Sequence, residues 1–80
     1  MGLDDNEIKG LRLFPNPVNE ILNIYSEYET FTIEIFDIIG KKIFEAENLN
    51  SINVRHFEEG IYLLKISSGN YKQSKLFIKK

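Results

Sequence analysis

His56 is the only histidine in this sequence and there is no cysteine, which leaves few ways to set a nucleophile beside a base or to build a metal cluster. No acidic residue is placed to orient His56 for catalysis, and a lone histidine beside a chain corner reads as surface or half-buried structure. The serines at 26, 51, 67, 68 and 74 lie in strand ends and turns, where small polar residues are expected. Asp4 and Asp5 lack the alternating D-x-D-x-D-G spacing of a calcium loop and read as solvated linker. Gly40, Gly60 and Gly69 each belong to a separate turn, so no glycine-rich phosphate cradle is expected. The chain therefore reads as a non-enzyme with no cofactor and no metal. What remains is the chemistry of recognition. Tyr25, Tyr28 and Tyr71 could form a sugar platform, although there is no tryptophan. Pro15, Asn16 and Pro17 make a compact early motif, and Lys72, Lys75, Lys79 and Lys80 end the chain with no acidic residue among them.

The elements that would position these residues are short strands. Leu11-Arg12-Leu13-Phe14 alternates and stops at Pro15-Asn16-Pro17, where two prolines withhold two backbone donors and force a stiff corner. Residues 20–26 form a second strand, with Leu22 and Ile24 on one face and Ile21, Asn23 and Tyr25 on the other. Phe31, Ile33 and Ile35 alternate strictly and face the core. Asp37-Ile38-Ile39-Gly40 reads as a type I turn with Gly40 left-handed, closing a bulged hairpin. On the return strand, residues 41–45, Ile43 is expected in the core and Phe44 partly covered.

Residues 47–51 read as a loop, and Ile52 and Val54 point inward from a short strand. Phe57-Glu58-Glu59-Gly60 turns into a strand at 61–67 that is apolar on both faces at first, as expected of a central strand covered on both sides. Ser68-Gly69-Asn70 turns once more into the last strand, residues 71–78. Phe57-x-x-Gly60-x-Tyr62 has the layout of a tyrosine corner, with Leu64 where immunoglobulin domains carry a cysteine. About seven short strands at spacings of roughly 8–12 residues predict an all-β fold, an immunoglobulin-like antiparallel β-sandwich.

Composition narrows the partners. Eighty residues allow one domain, stabilised by an apolar set rich in Ile, Phe and Tyr and without disulfides. A net charge of −2 offers no electrostatic footprint for nucleic acid, and no apolar run approaches the roughly 20 residues of a spanning helix. Residues 1–10 read as an artificial start and a linker remnant, and 11–80 as the domain.

Four ordered motifs carry a resemblance. They are Phe14-Pro15-Asn16-Pro17, Asp37-Ile38-Ile39-Gly40-Lys41, Phe57-Glu58-Glu59-Gly60-Ile61-Tyr62 and the lysine-bearing end Ser74-Lys75-Leu76-Phe77-Ile78-Lys79-Lys80. In this order the sequence resembles the C-terminal sorting domain of the type nine secretion system of Bacteroidetes, the Por pathway. The resemblance runs from residue 11 to the end and departs only at Phe57, where the family has leucine. It implies a domain carried at the end of a cargo protein that passes through the periplasm to the cell surface or the medium. Outer-membrane translocon and shuttle proteins would bind it, and a sortase-like peptidase would remove it by cutting near or upstream of residues 2–10.

On this resemblance the expected recognition residues are Lys75, Phe77, Lys79 and Lys80. If Leu76 and Ile78 pack inward, a partner adding a strand to the edge meets a Lys-Phe-Lys stripe. Lysines also guard exposed edges against aggregation, and a spare edge permits an edge-strand dimer. The Pro-Asn-Pro segment is either a rigid corner or part of the recognition surface. Two other functions stay open: a carbohydrate-binding or adhesive immunoglobulin-like module, and a passive spacer.

Overall fold

The computed structural model describes residues 11–80. Asp4, Asp5 and the linker expected at residues 1–10 lie outside the described residues. Seven strands follow one another: β1 (Arg12–Phe14), β2 (Ile21–Tyr25), β3 (Thr32–Phe36), β4 (Lys42–Glu47), β5 (Ser51–Asn53), β6 (Gly60–Ser68) and β7 (Tyr71–Lys79). They form two antiparallel sheets of order β1-β2-β5 and β4-β3-β6-β7. The orders β1-β2-β5 and β3-β6-β7 are those of an immunoglobulin-type sandwich, with β4 lying beside β3.

Period-two alternation builds the core as the sequence predicts. Leu22, Ile24, Ile52 and Val54 point in from the smaller sheet, and Ile33, Ile35, Leu64, Ile66 and Phe77 from the larger. Leu11, Val18, Phe31 and Tyr62 complete one cluster, so the two sheets share a single apolar interior. Asn48 ties the end of β4 to the start of β3: its amide donates to the Phe31 carbonyl at 2.8 Å and its side-chain oxygen accepts from the Phe31 amide at 2.8 Å. Asn48 takes a left-handed φ of 54° to do so, a conformation asparagine tolerates better than most residues.

The β3–β4 hairpin closes through the expected turn. The Gly40 amide donates to the Asp37 carbonyl at 3.0 Å, and Asp37 Oδ1 accepts from the amides of Ile39 (3.1 Å) and Lys41 (2.8 Å). Gly40 has φ of 91°, which side-chain-bearing residues rarely adopt. The bulge corrects one expectation. Phe36 pairs with Lys42 and Ile35 with Phe44, so Ile43 is the extra residue and its side chain is exposed. Alternation restarts at Phe44, which packs against the core, and the strand runs on to Glu47.

A second correction concerns β6. It is central within its sheet, between β3 and β7, but its outer face is bare. Ile61 is half exposed and sits opposite Ile78, and Leu63 lies opposite Leu76, itself 61% exposed. Both-sided apolarity in β6 thus reflects an uncovered apolar patch instead of a second covering layer.

The tyrosine corner is present. The Tyr62 hydroxyl donates to the Glu58 carbonyl at 2.6 Å, while the ring stacks on Phe77 at 5.5 Å and tilts against Phe57 at 5.2 Å. Burial pushes the Tyr62 phenol above its ordinary value of 10.0, helped by the charges of Glu58 and Asp37 and opposed by the bond to the Glu58 carbonyl. The unfolded chain then ionises first, so this contribution to stability is intact below about pH 10 and falls as pH rises further. Tyr62→Phe is expected to cost about 0.5–1.5 kcal/mol near neutral pH and to flatten the alkaline loss, as urea melts between pH 7 and 11 would show. Phe77→Ala is expected to cost about 3–5 kcal/mol, a large part of the roughly 5–15 kcal/mol typical of a domain. Thermal melting of that variant would measure it.

Candidate functional site

The residues first considered for catalysis are dispersed. His56 is exposed, and among the described residues no three His, Cys, Asp or Glu side chains converge as metal ligands. Ser26 and Ser68 serve turns: Ser26 Oγ accepts from the Tyr28 amide at 3.1 Å, and Ser68 Oγ donates to the Thr30 carbonyl at 2.7 Å. The tyrosines do not make a flat platform. Tyr28 and Tyr71 tilt against each other at 5.1 Å and 41°, using ring faces that a sugar would need, and Tyr28 also packs against the core.

Asp37, Gly40, Gly60 and Tyr62 are accounted for by the hairpin turn and the corner. The other two motifs, at opposite ends of the described chain, meet. Asn16 Oδ1 accepts from the Ile78 amide at 2.9 Å. The Val18 amide donates to the Ile78 carbonyl and the Lys80 amide to the Val18 carbonyl, both at 2.8 Å, a short parallel bridge. Val18 is fully buried, and Asn23 Nδ2 donates to the Phe14 carbonyl at 3.2 Å where the chain enters the corner. The peptide bonds before Pro15 and Pro17 are both cis. Through Asn16, with Val18 just beyond, the Pro15–Pro17 corner also fastens the tip of β7.

This clamp fixes what the rest of β7 offers. The backbone groups of Ile78 point away from β6, and β6 and β7 pair without a bulge from Gly60–Lys79 to Ser68–Tyr71. The two-residue repeat then turns the backbone groups of Leu76, Ser74 and Lys72 toward the same side, which is the free edge of the four-stranded sheet. Among the described residues, only the last residues of that edge are covered.

The side chains of β7 face opposite ways from the condition set by the sequence. Leu76 and Ile78 are outside; Phe77 is fully buried and Lys79 nearly so. The cause is the corner: Tyr62 points inward and Phe77 is its cross-strand partner, so odd-numbered residues of β7 share the core face. The Lys79 stem follows Phe77, and its Nζ donates to the Lys80 carbonyl at 3.1 Å. Lys75 is half-buried and, with Arg12, Leu13 and Phe14, lines a shallow groove between the edges of β1 and β7. Lys80 is exposed. Of Lys75, Phe77, Lys79 and Lys80, the structure leaves Lys75 and Lys80 as the side chains a partner could meet.

Sequence reasoning missed a further feature. Ile38 and Ile39, at the tip of the β3–β4 hairpin, are 77% and 82% exposed. They extend the bare patch of Ile61, Leu63, Leu76 and Ile78. The signal was two consecutive isoleucines at turn positions that normally carry polar residues.

A sequence-family model described as the secretion system C-terminal sorting domain matches residues 12–80. No curated protein matches the chain. If the Asn16 side chain holds the β7 tip, Asn16→Ala will release the Ile78 amide. Hydrogen exchange at Ile78 is expected to speed up roughly two- to tenfold, for a hydrogen bond of about 0.5–1.5 kcal/mol, with amides at the β3–β4 hairpin unchanged.

Proposed function

This chain belongs to the secretion system C-terminal sorting domain family, and from that premise we propose that its β7 edge is the element read during export. Membership makes the domain a sorting signal of type nine secretion, attached to a cargo and carrying it to the cell surface or the medium. The family is not an enzyme family. Residues 11–80 are the sorting unit in this reading. Outer-membrane translocon and shuttle proteins dock against β7, and a sortase-like peptidase then removes the domain by cutting upstream of residue 11.

One observation carries the reading. A strand whose tip is fastened by Asn16 and Val18 holds in fixed register a run of backbone groups, at Lys72, Ser74 and Leu76, that are unpaired among the described residues and ready for strand addition. Lys75 and Lys80 meet the partner directly, while Phe77 and Lys79 act by anchoring the strand.

Fusing residues 11–80 to an exported reporter is expected to place the reporter on the cell surface, and removing residues 76–80 is expected to leave it in the periplasm. Truncation also removes core packing, so Ser74→Pro is the sharper variant. Proline there withholds one outward-facing donor and is tolerated where the N–H faces solvent at an edge. The variant should melt cooperatively yet fail to be exported. Full export of a folded Ser74→Pro fusion would sink the claim that the β7 edge is read.

A further inference from the structure

We propose that the side of the sandwich between β1 and β7 is a docking groove for an extended protein segment of alternating acidic and apolar residues. The inference deepens the reading above and rests on it, because it names the chemistry of the partner that the β7 edge would take.

Three observations define the occupant. The first is charge. Arg12 and Lys75 line the groove, with Lys72 on the same strand and Lys80 just beyond it. None of the four has a carboxylate partner among the described residues, whereas Lys42 pairs with Glu34 and Glu45, and Arg55 with Glu20. Neither β1 nor β7 contains an acidic residue, although the chain as a whole is net negative. Acidic side chains are thus kept off the two strands that frame the groove.

The second observation is the apolar face beside it. Leu76 lies at the free edge with most of its side chain in water. It continues across the sheet into Leu63 and Phe36. A strand added to β7 would point alternate residues toward this outer row and into the groove. Apolar residues suit the first direction, resting beside Leu76. Carboxylates suit the second, reaching Lys75 and Arg12.

The third is length. The Asn16–Val18 clamp occupies the edge at Ile78 and Lys80, so the added strand spans residues 72–76 and ends against the clamp. Edge lysines by themselves would serve to repel other strands, but a large exposed leucine among them defeats that purpose. The same lysines disfavour a second copy of this chain, since pairing β7 with β7 brings together two cationic strands with no acidic residue on either.

The test uses the full 80-residue chain and three capped nine-residue peptides that alternate valine with glutamate, serine or lysine. Amide shifts in nuclear magnetic resonance titrations should appear at Lys72, Ser74 and Leu76 with the glutamate peptide alone. Affinity should fall by at least about tenfold in the Arg12→Glu, Lys75→Glu double variant and should weaken with added salt. Equal binding of the serine or lysine peptide, no binding of the glutamate peptide, shifts confined to β4 or to the Ile38–Ile39 tip, or concentration-dependent pairing through β7 would each overturn the proposal. The reporter fusion judges export separately. An exported fusion whose domain binds no peptide leaves the sorting role and removes the groove chemistry; peptide binding without export does the reverse.

Discussion

The Tyr62 side chain sits where three constraints meet. Its hydroxyl holds the Glu58 carbonyl, which fixes the corner that feeds β6. Its ring lies between Phe57 and Phe77, which fixes how β6 meets β7. Because Tyr62 is directly opposite Phe77, turning the tyrosine inward turns every odd-numbered residue of β7 inward with it. A slip of one residue would bury Leu76 and Ile78 and expose Phe77 and Lys79. The identity of the exposed surface at the C-terminal strand is thus set by a phenol on its neighbour.

A chain of this size buries only about 60% of its unfolded surface and has no cysteine to cross-link it. It nonetheless leaves Ile38, Ile39, Ile61, Leu76 and Ile78 in water, at one end of one sheet. These residues add nothing to the interior. Exposed apolar patches on small monomeric domains mark contact surfaces more often than chance, and this one adjoins the free edge of β7. The rest of the same sheet face behaves as an ordinary solvated surface, with Lys42 between Glu34 and Glu45, and Lys65, over the Phe36 ring at 5.6 Å, borders the patch.

Much of this was legible in the sequence. Alternation gave the core faces of β2, β3 and β5, Asp37 and Gly40 gave the hairpin turn, and Phe57, Gly60 and Tyr62 gave the corner. Ile43 was misplaced because a bulge shifts the side-chain period by one, and period two alone cannot say which residue is extra. The facing of β7 was in principle readable. A two-residue loop at Gly69 and Asn70 sets Ser68 against Tyr71 and hence Tyr62 against Phe77, and an inward corner tyrosine then decides the matter. The meeting of Asn16 with Ile78 was not readable. It joins positions 62 residues apart through one side chain, and no local pattern carries that information.

That contact also changes what the early motif is for. A Pro-Asn-Pro corner could have been a hinge that merely joins β1 to β2. Here its asparagine and the following valine supply the partners that the outward groups of Ile78 and Lys80 would otherwise lack. An edge strand left free along its whole length frays and pairs with whatever offers a register. One fastened at its end presents a short, defined stretch, and a partner loses less conformational entropy in joining it. In the proposed reading, selectivity comes from such a stretch and the side chains beside it. The corner and the last strand, remote in sequence, are joined by these bonds; in the proposed reading the corner sets where pairing stops, and the cations of β1 and β7 set what is accepted there.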